Sequence, residues 1–299
     1  MVSGGDWPLN PSWFLQLVMP IDKKLSRLIL EKLDRELGKL GRRPAPERVH
    51  KFRTHSRRVE ALLSEVALSH QGSDAKLLKR LARLRKKAGR LRDLDVEIAA
   101  LRALRFPQVN GHKSQVMEAL IKERAKREKR LVKASDRASI GQIRKRLRRS
   151  AKDLDLSANR EPLVLTVRKL RELSRNAAPL TEKTLHQYRI IGKRARYIAE
   201  LASDNPDAKR VVDQLKHMQD VIGDWHDWLK LSEKAEKILG DVRDSSLVAM
   251  LRNVTQAKFR QSLEAVREIR AAFPADRHPV QSAPGHAPAA KAAAQGTAA

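Results

Sequence analysis

A ten-residue pattern occurs twice in this chain, as VHKFRTHSRR at 49–58 and as LHQYRIIGKR at 185–194. In register, His50 pairs with His186, Arg53 with Arg189, Arg57 with Lys193 and Arg58 with Arg194, each 136 positions apart. Further on, Gly89-x-x-x-Asp93 is echoed by Gly223-x-x-x-Asp227, 134 positions apart. A repeat this long points to two homologous halves facing each other. Each half brings a histidine and a set of cations, so the duplication doubles a basic surface.

The charge balance says what such a surface attracts. Among 299 residues, 63 Lys+Arg stand against 35 Asp+Glu, a formal net charge of +28. That field draws polyanions: nucleic acid, an anionic membrane or polyphosphate. The absence of cysteine excludes disulfides, zinc-thiolate sites and thiol catalysis. Aromatic residues make up 4%, and the abundance of Leu, Ala, Arg and Lys favours helices packed through aliphatic seams.

Breakers divide the chain into helical segments of about 20–40, 45–70, 74–105, 112–137, 139–155, 161–176, 181–203, 206–239 and 245–273. None has a period of two, so the expected class is all-α. The expected organisation is an N-terminal segment over 1–19, a helical domain over 20–273 with halves of about 20–137 and 139–273, and a tail over 274–299. The tail is rich in Ala, Pro and Gly and reads as disordered and solvated. The apolar run Trp13–Met19 lacks a basic region before it and stops at Pro20, unlike a signal peptide. No stretch reaches the length of a membrane span. A soluble, cytoplasmic protein without membrane contact is expected.

Helical geometry gives the cations a direction. At 100° per residue, Val49, Phe52, Val59, Leu63 and Val66 form one seam, with His50, Arg53 and Arg57 along its edge. In the second copy Leu185, Tyr188, Ala195 and Ala199 form the seam, flanked by His186, Arg189, Lys193 and Arg196. Cations placed for solubility belong on the far face; a one-sided stripe in both copies suggests the wall of a groove. In the next helix Arg85 and Arg92 project inside the apolar arc of Leu77, Leu81, Leu84, Ala88 and Leu91, where a charge is costly unless paired or serving a ligand. Gln219 and His226 hold the equivalent places in the second copy. Gly89 and Gly223 lie on the same arcs, where an absent side chain permits close helix approach. Asp93 and Asp227, one step away, either orient these cations or form internal salt bridges with a neighbouring helix.

Other chemistry finds little support. In Asp224-Trp225-His226-Asp227 only the two aspartates share a helix face, so no metal site is expected. His50 and His186, surrounded by cations, suit hydrogen bonding to an anion better than proton abstraction. No Walker loop, dinucleotide fingerprint, Gly-x-Ser-x-Gly or HExxH occurs. No cofactor and no catalytic residue are expected.

At these residues the sequence resembles the CHAD family, the conserved histidine α-helical domain. His50 to Arg58 with Gly89 to Val96 match its first copy, and His186 to Tyr197 with Gly223 to Asp227 its second, a resemblance over about residues 20–273. It implies two pseudosymmetric four-helix halves around a basic cavity that binds inorganic polyphosphate without catalysis, often at polyphosphate granules. Two departures stand out: Ala88 replaces the usual leucine before Gly89, and Gly192 interrupts the second motif helix. The CYTH domain fused to many relatives has no room here, which argues against an intrinsic phosphohydrolase.

On this reading His50, Arg53, Arg57, Arg58, Arg85, Lys86 and Arg92 line one wall of the groove. His186, Arg189, Lys193, Arg194, Arg196, Lys216 and His226 line the other, and Lys122, Lys126, Arg130 and Lys133 extend the surface. The extension belongs to the most basic stretch, 121–150, which has thirteen Lys/Arg and three Asp/Glu. The rival readings are a non-specific nucleic-acid binder, a histidine-dependent phosphotransferase and a structural coat or partner of a granule, with granule-associated proteins as partners.

Overall fold

The computed structural model describes residues 23–40, 44–67, 73–105, 111–156, 161–175, 179–202, 205–240 and 245–274. The expectations for the N-terminal segment and for the tail beyond Pro274 lie outside them. Among the described residues nine α-helices run in chain order: α1 Lys23–Gly38, α2 Pro46–Ala61, α3 Ser73–Ala103, α4 His112–Ala134, α5 Arg137–Lys152, α6 Pro162–Arg175, α7 Glu182–Ala199, α8 Pro206–Leu239 and α9 Ser246–Ala272. The described residues contain no strand, only an isolated bridge between Ala67 and Leu156. No helix among them is long and apolar enough to cross a membrane.

The helix starts follow from local chemistry. The Asp136 carboxylate accepts from the Ser139 N–H to start α5, and Thr181 and Thr184 close a capping box on α7. Asn205 accepts from the Asp207 and Ala208 N–H groups while Pro206 opens α8. Gly240, at φ 74°, follows the end of α8 in a backbone region that side chains disfavour. Both motif helices end irregularly at corresponding places: α2 runs into a π turn, Leu62–Val66, and α7 into a 3-10 turn, Glu200–Ala202.

The helix order repeats. Helices α1 to α4 pack each against the next, and so do α6 to α9. One apolar core gathers Leu33, Phe52, Val59, Leu81 and Leu91 from α1, α2 and α3. A second gathers Leu170, Tyr188, Leu215, Trp225 and Val266 from α6 to α9. Two apolar clusters join the halves, and Leu201 of the second half also enters the first core. Ala61 packs with Tyr197 and Ile198 where α2 meets α7, and Leu94, Ile98 and Leu101 of α3 join Val116, Leu120, Leu231, Ala235 and Leu251 of α4, α8 and α9. Pairings of α2 with α7 and of α3 with α8 thus bring the two copies of each motif together.

Helix α5 follows the boundary expected near 137–139, yet it packs with the first half. Ile140, Ile143 and Leu147 enter the first core, Arg144 grips Asp34 of α1 through bonds of 2.9 and 2.8 Å, and Ser150 donates to Asp74 at 2.6 Å. Among the described residues the first half therefore holds five helices and the second four.

A candidate anion-binding cavity between the motif helices

Arg53 leaves α2 beside the buried Phe52 and crosses to α3. Its Nη1 donates to the Gly89 carbonyl and to the Asp93 carboxylate, both at 3.3 Å. A Cβ on Gly89 would lie 3.6 Å from the guanidinium carbon, so the glycine surface is what the guanidinium rests against. Asp93 thus fixes the direction of Arg53. Burial lowers the Arg53 pKa and Asp93 opposes it, while Arg57 and Arg189 add repulsion. Asp93 is both an internal salt-bridge partner and an orienting group; the two readings describe one contact.

On α7, Arg189 is lowered by burial, opposed by Asp227 and pushed further by Arg57. Its Nε is buried without a hydrogen-bond partner among the described residues, a costly state for a donor. Lys193 is the extreme case. Burial, reinforced by Arg189, Arg57 and Arg53, pushes its ammonium down to about 6, with Asp227 opposing. Four cations of the repeated motif, two from each half, therefore act on one another across the junction.

Beside them opens a cavity of about 260 Å³, lined by Arg57, Glu60, Arg85, Arg189, Lys193, Arg194 and Tyr197, with Ala61, Ser64, Glu65 and Ile190. Arg85, expected to serve a ligand, lines this cavity but already donates to Glu60 at 2.8 Å and Ser56 at 3.3 Å. The histidines flank the cluster. The His50 pKa is lowered by burial, then by Arg92, Arg53 and Arg57. His186 stacks on His226 with ring centres 6.1 Å apart, and its pKa is lowered by burial, then by His226, Arg189, Lys230 and Lys193.

The other expected residues fall elsewhere. Arg58 turns to Glu200, with Nε 2.6 Å from the carboxylate, and Arg196 approaches the same carboxylate at 3.5 Å. Arg58 also lines a separate cavity of about 280 Å³ with His55, Lys32, Lys209 and Tyr197. Lys86 on α3 and Lys216 on α8 are exposed. Lys122, Lys126 and Arg130 surround a hollow on α4 with Arg127 and Glu123, apart from the main cavity, and Lys133 is exposed on the same helix.

Sequence reasoning missed Lys230, which acts on His186, although it stands one turn beyond His226 on α8. It also missed the carboxylates Glu60 and Glu65 on the cavity wall. No group of three or more His, Asp or Glu able to hold a metal occurs among the described residues. In the Asp224–Asp227 stretch, Asp224 pairs with Lys258 at 2.8 Å and His226 lies 3.5 Å from Asp227.

The sequence model of the CHAD domain matches residues 26–236. The fold resembles PptA from Streptomyces chartreusis, with a TM-score of 0.61 at 18% identity over 85% of this chain and 99% of that one. It also resembles the CHAD domain from the plant Ricinus communis, with a TM-score of 0.60 at 18% identity over 82% and 87% of the two chains. No curated protein matches by sequence. A duplicated histidine-and-arginine motif on an all-α fold defines the class, and the chain belongs to the CHAD domain family.

Proposed function

We propose that this protein binds inorganic polyphosphate in the cavity between α2 and α7, without catalysing its hydrolysis or transfer. The observation that carries the reading is the meeting of Arg53, Arg57, Arg189 and Lys193 from the two halves, where burial, reinforced by the neighbouring guanidiniums, lowers Lys193 to about 6. A cation cluster held against its own repulsion is stabilised by an anion. Arginine grips phosphate oxygens through paired N–H groups and lysine adds a point charge.

The surroundings favour a polyanion without bases. Single-stranded nucleic-acid sites usually offer aromatic platforms on which bases stack. Here Phe52, Tyr188 and Trp225 are core residues, and Tyr197, on the cavity wall, is 4% exposed. Residence at polyphosphate granules would follow from such binding.

The test is binding of long-chain polyphosphate over a salt series, with DNA of equal charge as competitor. Saturable binding that weakens with salt and resists DNA is the expected result. Displacement by DNA at equal charge concentration would favour an unselective nucleic-acid binder. Phosphate release, or phosphate transferred to His50 or His186, would favour an enzyme.

A further inference from the structure

The two halves bring different chemistry to corresponding positions. Arg57 corresponds to Lys193, Arg92 to His226 and Arg85 to Gln219. In the first half these groups are guanidiniums, protonated at any physiological pH. In the second half they are an amine, an imidazole and an uncharged amide. Gln219 is withdrawn altogether, donating to the Gly192 carbonyl at 2.9 Å. Arg189 and Arg194 are the second-half guanidiniums on the cavity wall, and their charge is indifferent to pH.

The surroundings of these titratable groups set the direction of the effect. Around Lys193 stand Arg53, Arg57 and Glu60 of α2, Glu65 of the π turn, Arg85 of α3, Arg189 and Arg194 of α7 and Asp227 of α8. Around His186 stand His226 and Lys230 of α8 with Arg189 and Lys193 of α7. Burial, reinforced by cations that outnumber carboxylates in both settings, holds each proton loosely when no ligand is bound. A phosphate chain among the same groups reverses the sign of the local field and favours the protonated forms. The proton comes from solvent and adds to the free nitrogen lone pair of the amine or imidazole.

We propose that polyphosphate binding is coupled to proton uptake by the second half, at Lys193 on the cavity wall and at His186 beside it, so that the polymer is held more tightly in mildly acidic than in mildly alkaline solution. This rests on the polyphosphate reading above and adds its regulation: the first half anchors the chain at any pH, and the second half closes on it as pH falls.

Calorimetric titration of the protein with long-chain polyphosphate, in two buffers of different ionisation enthalpy, tests both levels separately. Long chains keep the weakly acidic terminal phosphates few. The expected result is uptake of about one proton or more per site, with affinity rising by about tenfold per pH unit for each proton taken up between about pH 8 and pH 6. Lys193→Arg, which keeps the charge and removes the titration, should lower the uptake by about one proton and bind more tightly than wild type at about pH 8. Saturable binding with no proton exchange would overturn the coupling and leave the polyphosphate reading standing. Full uptake in Lys193→Arg would overturn the role of Lys193. No saturable binding at either pH would sink the underlying reading, and the coupling with it.

Discussion

Glu97 on α3 and Lys234 on α8 close an ion pair at 2.6 Å across the junction of the two halves, with the carboxylate 2% exposed. Burial pushes Glu97 up to about 7, against the pull of Lys234 and with Asp93 and Asp227 adding repulsion. The folded pKa thus exceeds the ordinary value of 4.5, so the stability this group contributes is full below that value and is lost as pH rises through about 7. Lys234→Met leaves the carboxylate without its partner. The variant should lose about 3–5 kcal/mol of stability where Glu97 is ionised. Denaturant unfolding should find the deficit larger at about pH 8 than at about pH 5, where the carboxyl is neutral.

The cation cluster makes the opposite prediction for the ligand-free protein. Lys193 has a folded pKa of about 6 against an ordinary 10.5, so the fold is progressively penalised as pH falls from 10.5 to about 6. Lys193→Met removes that penalty. Without polyphosphate it should be more stable by about 1–3 kcal/mol near neutrality, raising Tm by about 2–4 °C per kcal/mol. The gain should shrink as pH approaches 10.5. A variant that melts higher and binds polyphosphate less tightly is the pattern expected of a residue kept for its ligand.

Two glycines of the repeated motifs separate packing from sequence pattern. A Cβ on Gly192 would overlap the methyl of Met218, a residue sealed in the second core, whereas a Cβ on Gly223 meets nothing within 4 Å. Gly192→Ala should therefore cost about 1–2 kcal/mol, the overpacking outweighing the helix preference of alanine. Gly223→Ala should be neutral or stabilising by up to about 1 kcal/mol. Met218→Ala vacates the crowded place, so a double-mutant cycle of thermal unfolding should show Gly192→Ala becoming favourable in that background.

This contrast also marks what a single sequence discloses. Gly192 reads as an interruption of α7, and in the fold it admits Met218 without breaking the helix. Gly223, which the repeat singles out for close approach, faces open space; Gly89 meets the guanidinium of Arg53 instead of a helix backbone. The helices of the described residues were legible because breakers and caps act locally. The pairing of Arg53 with Asp93 was half legible, since both lie on motif faces that must meet. Arg58 was not: whether it turns to the cavity or to Glu200 depends on how α2 meets α7, which periodicity leaves open. Helix α5 offers the same lesson, because an apolar stripe of Ile140, Ile143 and Leu147 fits either half until the packing chooses one.

The strongest test of the cavity itself is a count of charges released. Each phosphate neutralised on a flexible single chain contributes about −0.7 to the slope of log affinity against log salt. Arg53 and Arg189 hold corresponding positions and influence each other across the junction. Arg53→Met with Arg189→Met should therefore flatten the slope by about 1.4 and weaken binding most at low salt. Removing Arg58 and Arg196, which are occupied by Glu200, should change the slope much less. Circular dichroism must report the same helicity in both pairs. An unchanged slope in the first pair, with the helices intact, would place the bound polymer elsewhere on this basic surface, and the α4 hollow of Lys122, Lys126 and Arg130 would be the next place to examine.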